Sequence, residues 1–112
     1  MARQLCVIVY PVTDVAKAKA VFSELLGVQP YADSPYYVGF RPGDIEVGLV
    51  PNGREKGMTG PVAYWNADDI EANVQALLDA GARLGQPVTD VGGGLRTASV
   101  RDADENTLGL RQ

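Results

Sequence analysis

Of the side chains that carry most protein chemistry, histidine is absent from all 112 residues and cysteine occurs once, at Cys6. Without imidazole there is no Ser-His-Asp or Cys-His catalysis and no histidine-containing zinc or iron site, so any metal would need carboxylate ligands. Asp102, Asp104 and Glu105 crowd one short stretch but lack the remaining ligand spacing of a calcium loop, and their ordinary use is to shape a turn. Gly92-Gly93-Gly94 precedes a strand pattern rather than a helix and lacks the Lys-Ser/Thr of a phosphate loop, so it reads as a hairpin turn. A lone cysteine in an apolar run is an inert core thiol, and it excludes an intrachain disulfide, which suits a reducing cytoplasm. What remains is Glu46, Arg111, Trp65 and five tyrosines.

Charge narrows the partners. Fourteen acidic residues against ten basic ones leave a net charge of -4, with no Lys/Arg run. Such a chain is a poor partner for nucleic acid or an anionic membrane. The apolar stretch before Pro11 is too short for a membrane span or a signal core. A soluble, cytoplasmic protein is expected.

These residues must be positioned by the elements around them. QLCVIVYPV (4–12) is a continuous β-branched run and reads as a buried strand. Asp14 can cap the helix that follows, in which Val15, Ala18, Phe22, Leu25 and Leu26 share one face, and Gly27 supplies the left-handed stop. A segment around Tyr31 is a turn or a brief strand, YYVGF (36–40) a strand, Arg41-Pro42-Gly43-Asp44 a turn and IEVGLV (45–50) another strand. PNGREKGMTG (51–60) has no apolar period and is a loop. Then the pattern repeats. VAYW (62–65) is a strand, Asp68 with Glu71 forms a capping box, and Ile70, Val74, Leu77 and Leu78 make a helical stripe ending at Gly81. Residues 87–89, LRTASV (95–100) and TLGLR (107–111) are strand candidates.

A shift of 54 residues superimposes Ile8 on Val62, Tyr10 on Tyr64, Asp14 on Asp68 and Gly27 on Gly81, and a shift of 61 lays Val47-Gly48-Leu49 over Leu108-Gly109-Leu110. The chain therefore reads as one domain, 1–112, built from duplicated βαβββ modules at 4–50 and 61–112.

VTDVAKAKAVFSELLGV (12–28), ADDIEANVQALLDAGA (67–82) and RDADENTLGL (101–110) together resemble the vicinal oxygen chelate superfamily, which includes glyoxalase I, extradiol dioxygenases and bleomycin-binding resistance proteins. The resemblance implies an α+β fold in which the two modules form a U-shaped mixed sheet around a cleft with helices outside, often within a homodimer. In metal-dependent members, one residue from the first and one from the last strand of each module hold a divalent ion. Carried over one at a time, those positions are Val7, Gly48, Pro61 and Gly109, none of which has a donor side chain. No metal and no other cofactor is expected, and glyoxalase, dioxygenase and thiol-transferase chemistry is disfavoured.

Residues two apart in a strand share a face. Val7, Val9 and Pro11 should therefore point into the cleft with Glu46, Gly48 and Val50, and Pro61, Ala63 and Trp65 with Thr107, Gly109 and Arg111. Tyr10 and Tyr64 have the opposite parity and should pack beneath the helices, while one of Tyr36 and Tyr37 must face the cleft. Glycine at two of the four positions should leave the floor apolar and roomy, with Trp65 as a stacking surface and Glu46 and Arg111 as orienting charges. The favoured function is metal-independent binding of a small aromatic or cationic molecule such as an antibiotic. The alternatives are a metal-free isomerase or lyase using Glu46 or a tyrosine as its acid-base group, and a regulatory module whose cleft is filled by side chains.

Overall fold

The computed structural model describes residues 2–112. Among them are two helices and nine strands: β1 (Leu5–Pro11), α1 (Val15–Leu26), β2 (Ala32–Asp33), β3 (Val38–Phe40), β4 (Glu46–Val50), β5 (Val62–Asn66), α2 (Ile70–Asp79), β6 (Arg83–Leu84), β7 (Thr89–Gly92), β8 (Leu95–Arg101) and β9 (Thr107–Arg111). This is the expected α+β class. The second series carries one strand more than expected. Residues 87 and 88 form no strand, β6 pairs with β8 as β2 pairs with β3, and β7 is an added hairpin partner of β8.

One compact unit is Val7–Val62. Its strands run in the order β2-β3-β4-β1, with β1 and β4 parallel and the other neighbours antiparallel. Asp14 caps α1 by accepting from the Lys17 amide at 3.0 Å, and Gly27 ends it at φ 72°, a conformation glycine adopts without steric penalty. Val15, Ala18, Phe22 and Leu26 of α1 cover the sheet, whereas Leu25, expected on the same face, is exposed. Val38, Phe40 and Leu49 are fully enclosed beneath the helix, with Tyr10, Phe22 and Leu26 packed around them. Tyr10 and Phe22 meet at 4.9 Å between ring centroids, as the parity of Tyr10 requires.

The other unit is Ala63–Gln112 with the N-terminal segment up to Cys6. Strand order is β5-β9-β8-β6, β5 and β9 being parallel, and β7 lies off this path against β8. Ile70 and Val74 of α2 close over Ala98, Val100 and Leu110. The β7–β8 turn places Gly92, Gly93 and Gly94 all at positive φ, the hairpin use expected of them. Asp102 accepts from the amides of Asp104 and Asn106, both at 2.9 Å, and from the Asn106 side chain, which confirms a turn. Those hydrogen bonds, led by the Asn106 side chain, hold its carboxyl below the ordinary range.

The cap of α2 differs from expectation. Asp69, not Asp68, is the N-cap, accepting from the Ala72 amide at 3.2 Å, while Asp68 accepts from the Asp69 amide. The Ile70 amide is taken up by the Gln112 side chain at 2.8 Å. Asp69 lies 55 residues beyond Asp14, so the two modules superimpose at their caps with a shift of 55 rather than 54. A one-residue change of register exchanges the faces of a strand, and the consequences appear at the site.

Candidate functional site

In Val7–Val62 the parity argument holds. Val7 is level with Glu46, Val9 with Gly48 and Pro11 with Val50, and Gly48 is level with Gly39 on its other side. Directly paired residues share a face, so Val7, Val9, Glu46, Gly48 and Val50 lie together on the face away from α1. Tyr37, two residues before Gly39, belongs to that face as well, and Tyr36 is 78% exposed. Between the two adjacent tyrosines, Tyr37 is therefore the one beside Glu46.

Four side chains converge there. Glu46 is 6% exposed. Its Oε2 accepts a hydrogen bond from the Tyr37 hydroxyl, and its Oε1 lies 3.5 Å from the Arg41 guanidinium. Arg41 in turn sits over the Tyr31 ring, 4.2 Å from its centroid. Burial pushes the Tyr31 phenol pKa up, hydrogen bonding to Glu46 and its negative charge push it further, and Arg41 opposes both.

The glycines serve this cluster rather than an open floor. A Cβ on Gly48 would lie 2.5 Å from the Tyr37 hydroxyl, and one on Gly39 would lie 2.9 Å from the Tyr37 ring, 3.0 Å from the Tyr31 ring and 3.2 Å from Glu46 Oε2. The volume released by glycine is occupied by phenol rings. That corrects the roomy apolar floor expected at Gly48. Arg41 and Tyr31 were not assigned to the site from the sequence, which left Tyr36 and Tyr37 as alternatives, although a signal for Arg41 exists. Arg41 and Glu46 flank the Pro42-Gly43-Asp44 turn, and extending the Phe40–Val47 pairing by one step sets them opposite each other.

In the other unit the shifted register reverses the expected faces. Tyr64 is level with Gly109, Ala63 with Leu108 and Trp65 with Leu110. A Cβ on Gly109 would lie 2.5 Å from Tyr64 Cδ1, so this glycine too is covered by a tyrosine. Tyr64 thus does not pack beneath a helix. Thr107, Gly109 and Arg111 share its face, and so do not lie with Ala63 and Trp65 as expected. Ala63 and Trp65 lie on the opposite one, with Leu110, which belongs to the core under α2. Trp65 is 39% exposed and lines an open depression of ≈ 360 Å³ with Ala2, Arg3, Leu77, Leu108, Gly109 and Leu110. Pro61 precedes β5 and is exposed. Burial alone raises the Tyr64 phenol. Cys6 is buried, and its thiol donates to the Tyr64 carbonyl at 3.1 Å.

The profile of the Glyoxalase/Bleomycin resistance protein/Dioxygenase superfamily matches residues 4–110. The chain belongs to that superfamily. Solved structures share its fold at low identity. A superfamily member from Vibrio splendidus 12B01 is 16% identical with a TM-score of 0.73, covering 99% of each chain. A protein described as an NAD-dependent benzaldehyde dehydrogenase from Legionella pneumophila is 21% identical with a TM-score of 0.74, covering 94% of this chain and 96% of that one. A Streptomyces coelicolor methylmalonyl-CoA epimerase in complex with 2-nitronate-propionyl-CoA is 13% identical with a TM-score of 0.72, covering 99% and 94%. No curated protein matches the chain.

Membership of the glyoxalase superfamily raises the question of a divalent ion. Val7, Gly48, Pro61 and Gly109 offer no donor, and replacing Pro61 by Val62, as the shift of 55 from Val7 requires, adds none. Among the described residues no three His, Cys, Asp or Glu side chains converge as a metal site. The positions carried over from metal-dependent members thus supply no side-chain ligand for a divalent ion. No helix among them is long and apolar enough to cross a membrane.

Proposed function

We propose that this member of the glyoxalase superfamily is a metal-independent binding protein for a small aromatic or cationic molecule, such as an antibiotic, held at the Glu46 cluster. The observation that carries this reading is a carboxylate buried to 6% exposure on a sheet face, ringed by Tyr37, Tyr31 and Arg41. Desolvating a charge is costly, and an apolar residue in its place would often stabilise a fold as well or better. A carboxylate kept there beside two phenols supports a recognition role: charge for orientation and ring faces for contact. A cytoplasmic homodimer, with neither nucleic acid nor membrane as partner, accompanies this reading.

Calorimetric titration with a panel of planar cationic and neutral aromatic compounds tests it. Binding by the parent protein, lost in Glu46→Gln while the fold is retained, is the expected result. No binder in the panel, or equal binding by the variant, overturns it.

A second reading is favoured by the Tyr37–Glu46 hydrogen bond, which supplies the second convergent group that acid-base chemistry needs. In this reading Glu46 takes a proton from an acidic carbon and Tyr37 returns one, as a metal-free isomerase or lyase would require. Solvent deuterium entering a panel of carbon acids, abolished in Glu46→Gln, is its signature. Absence of exchange with every compound removes it.

A further inference from the structure

We infer that Arg41 is a built-in occupant of the ligand's cation position, so that the molecule bound at Glu46 carries a planar delocalised cation, an amidinium or guanidinium, and binds by displacing Arg41. The inference rests on the binding reading above and names its ligand class. Three observations lead to it.

The first is what Arg41 touches. Its guanidinium makes the two contacts that recognise a planar cation: a carboxylate oxygen at 3.5 Å and an aromatic face at 4.2 Å. The second is how loosely it is held. The Arg41 side chain is 62% exposed and Tyr31 is 51% exposed, whereas Glu46 beneath them is buried. Only the Arg41 end of the pair is exposed, its 3.5 Å separation is longer than a good hydrogen bond, and an exposed cation–π contact is weak, so the guanidinium can give way to another cation that keeps the carboxylate compensated. The third is what stays behind. Glu46 Oε2 remains held by Tyr37, Gly39 and Gly48 keep both rings seated close to the backbone, and the places Arg41 held beside Oε1 and over the Tyr31 face are opened. The vacated position is flat, anionic on one side and aromatic on the other. An incoming planar cation recovers both contacts and adds those of its own body.

Benzamidine is the probe and benzamide its neutral isostere, each titrated into the parent chain, Arg41→Ala and Arg41→Ala/Glu46→Gln. The folded state of each variant is checked by circular dichroism. Removing the competing side chain should tighten benzamidine by about threefold to tenfold in Arg41→Ala, the range expected for losing one weak competitor, with benzamide unchanged. The double variant should lose that gain. Weaker benzamidine binding in Arg41→Ala overturns the inference, because Arg41 would then be a contact. Equal binding of the two probes overturns it too, since the site would be reading the ring rather than the charge. If benzamidine fails to bind Arg41→Ala while another compound of the panel binds the parent through Glu46, the inference falls and the binding reading stands. If no compound binds any form, both fall.

Discussion

Each compact unit places a glycine in the strand that closes its module and lays a tyrosine across it, yet the two arrangements are built differently. Over Gly48 the ring comes from Tyr37, just before β3, and the tip of its phenol is nearest the glycine while its hydroxyl reaches Glu46. Over Gly109 the ring comes from Tyr64 in the parallel neighbour β5, its base is nearest the glycine, and burial is the only influence on its phenol. The same glycine–tyrosine device thus makes a polar cluster in one unit and an apolar plug in the other. What separates them is a carboxylate: position 46 carries Glu, and the place two residues before Gly109 carries Thr107.

The sharpest way to break this comparison is to add a methyl group at each glycine. Gly109→Ala presses on Tyr64 Cδ1 and Cγ, which cannot move without turning the whole side chain, so destabilisation of about 3 kcal/mol and a melting temperature lower by roughly 10 °C are expected. Gly48→Ala meets the Tyr37 tip, which can withdraw, so a smaller melting shift is expected together with loss of the Tyr37–Glu46 bond. Thermal unfolding of both variants decides whether plug and cluster differ as described.

The caps test the shift of 55. Asp14→Ala and Asp69→Ala should each cost about 1 kcal/mol in chemical denaturation, the usual loss for an N-cap, and Asp68→Ala should cost less than either. Equal losses at Asp68 and Asp69 would return the repeat to 54.

Removing single hydroxyls sharpens the contrast further. Tyr37→Phe leaves a buried carboxylate with one donor fewer and should destabilise the chain by about 1 kcal/mol at neutral pH. Tyr64→Phe should be nearly silent there and act only in alkali. The Tyr64 phenol is raised in the folded state, so its contribution is complete below the unfolded value near 10 and is lost as pH rises through the folded one. Parent stability should therefore fall above about pH 10, and Tyr64→Phe should flatten that fall when denaturation is followed against pH.

The smallest expected effect is at Asp102, whose carboxyl is lowered. Its contribution is present above the unfolded value near 4 and disappears as pH drops through the folded one, so Asp102→Asn should lessen the acid sensitivity of the parent.

The order of elements, the helices and their apolar faces were legible because they depend on local pattern: β-branched runs, a helical stripe, an aspartate before it and a glycine after it. Faces in the first module were legible for the same reason, since one clear run fixed the parity of Val7 and Val9. Faces in the second were not. Asp68 and Asp69 are adjacent and chemically equivalent as caps, and choosing the first moved the repeat by one residue and exchanged Tyr64 with Trp65. Strand parity amplifies a small alignment error into a complete reversal, whereas a helix would have rotated by about 100°. The Glu46 cluster was half legible. Glu46 was found by parity, but its partners come from pairing across a turn, which residue types alone do not display.

Strand β1 has its own consequence. The chain up to Cys6 belongs with Ala63–Gln112, and there the Asn66 amide donates to the Gln4 carbonyl at 2.9 Å while the Cys6 thiol donates to Tyr64. That unit is therefore discontinuous in sequence and is completed only when the first residues of the chain return to meet residues some sixty positions later. Loop closure over that distance makes this a slow contact relative to the hairpins. During synthesis residues 4–6 must wait for β5 to emerge, and a fragment starting at β5 would present an unpaired strand edge open to association with other chains.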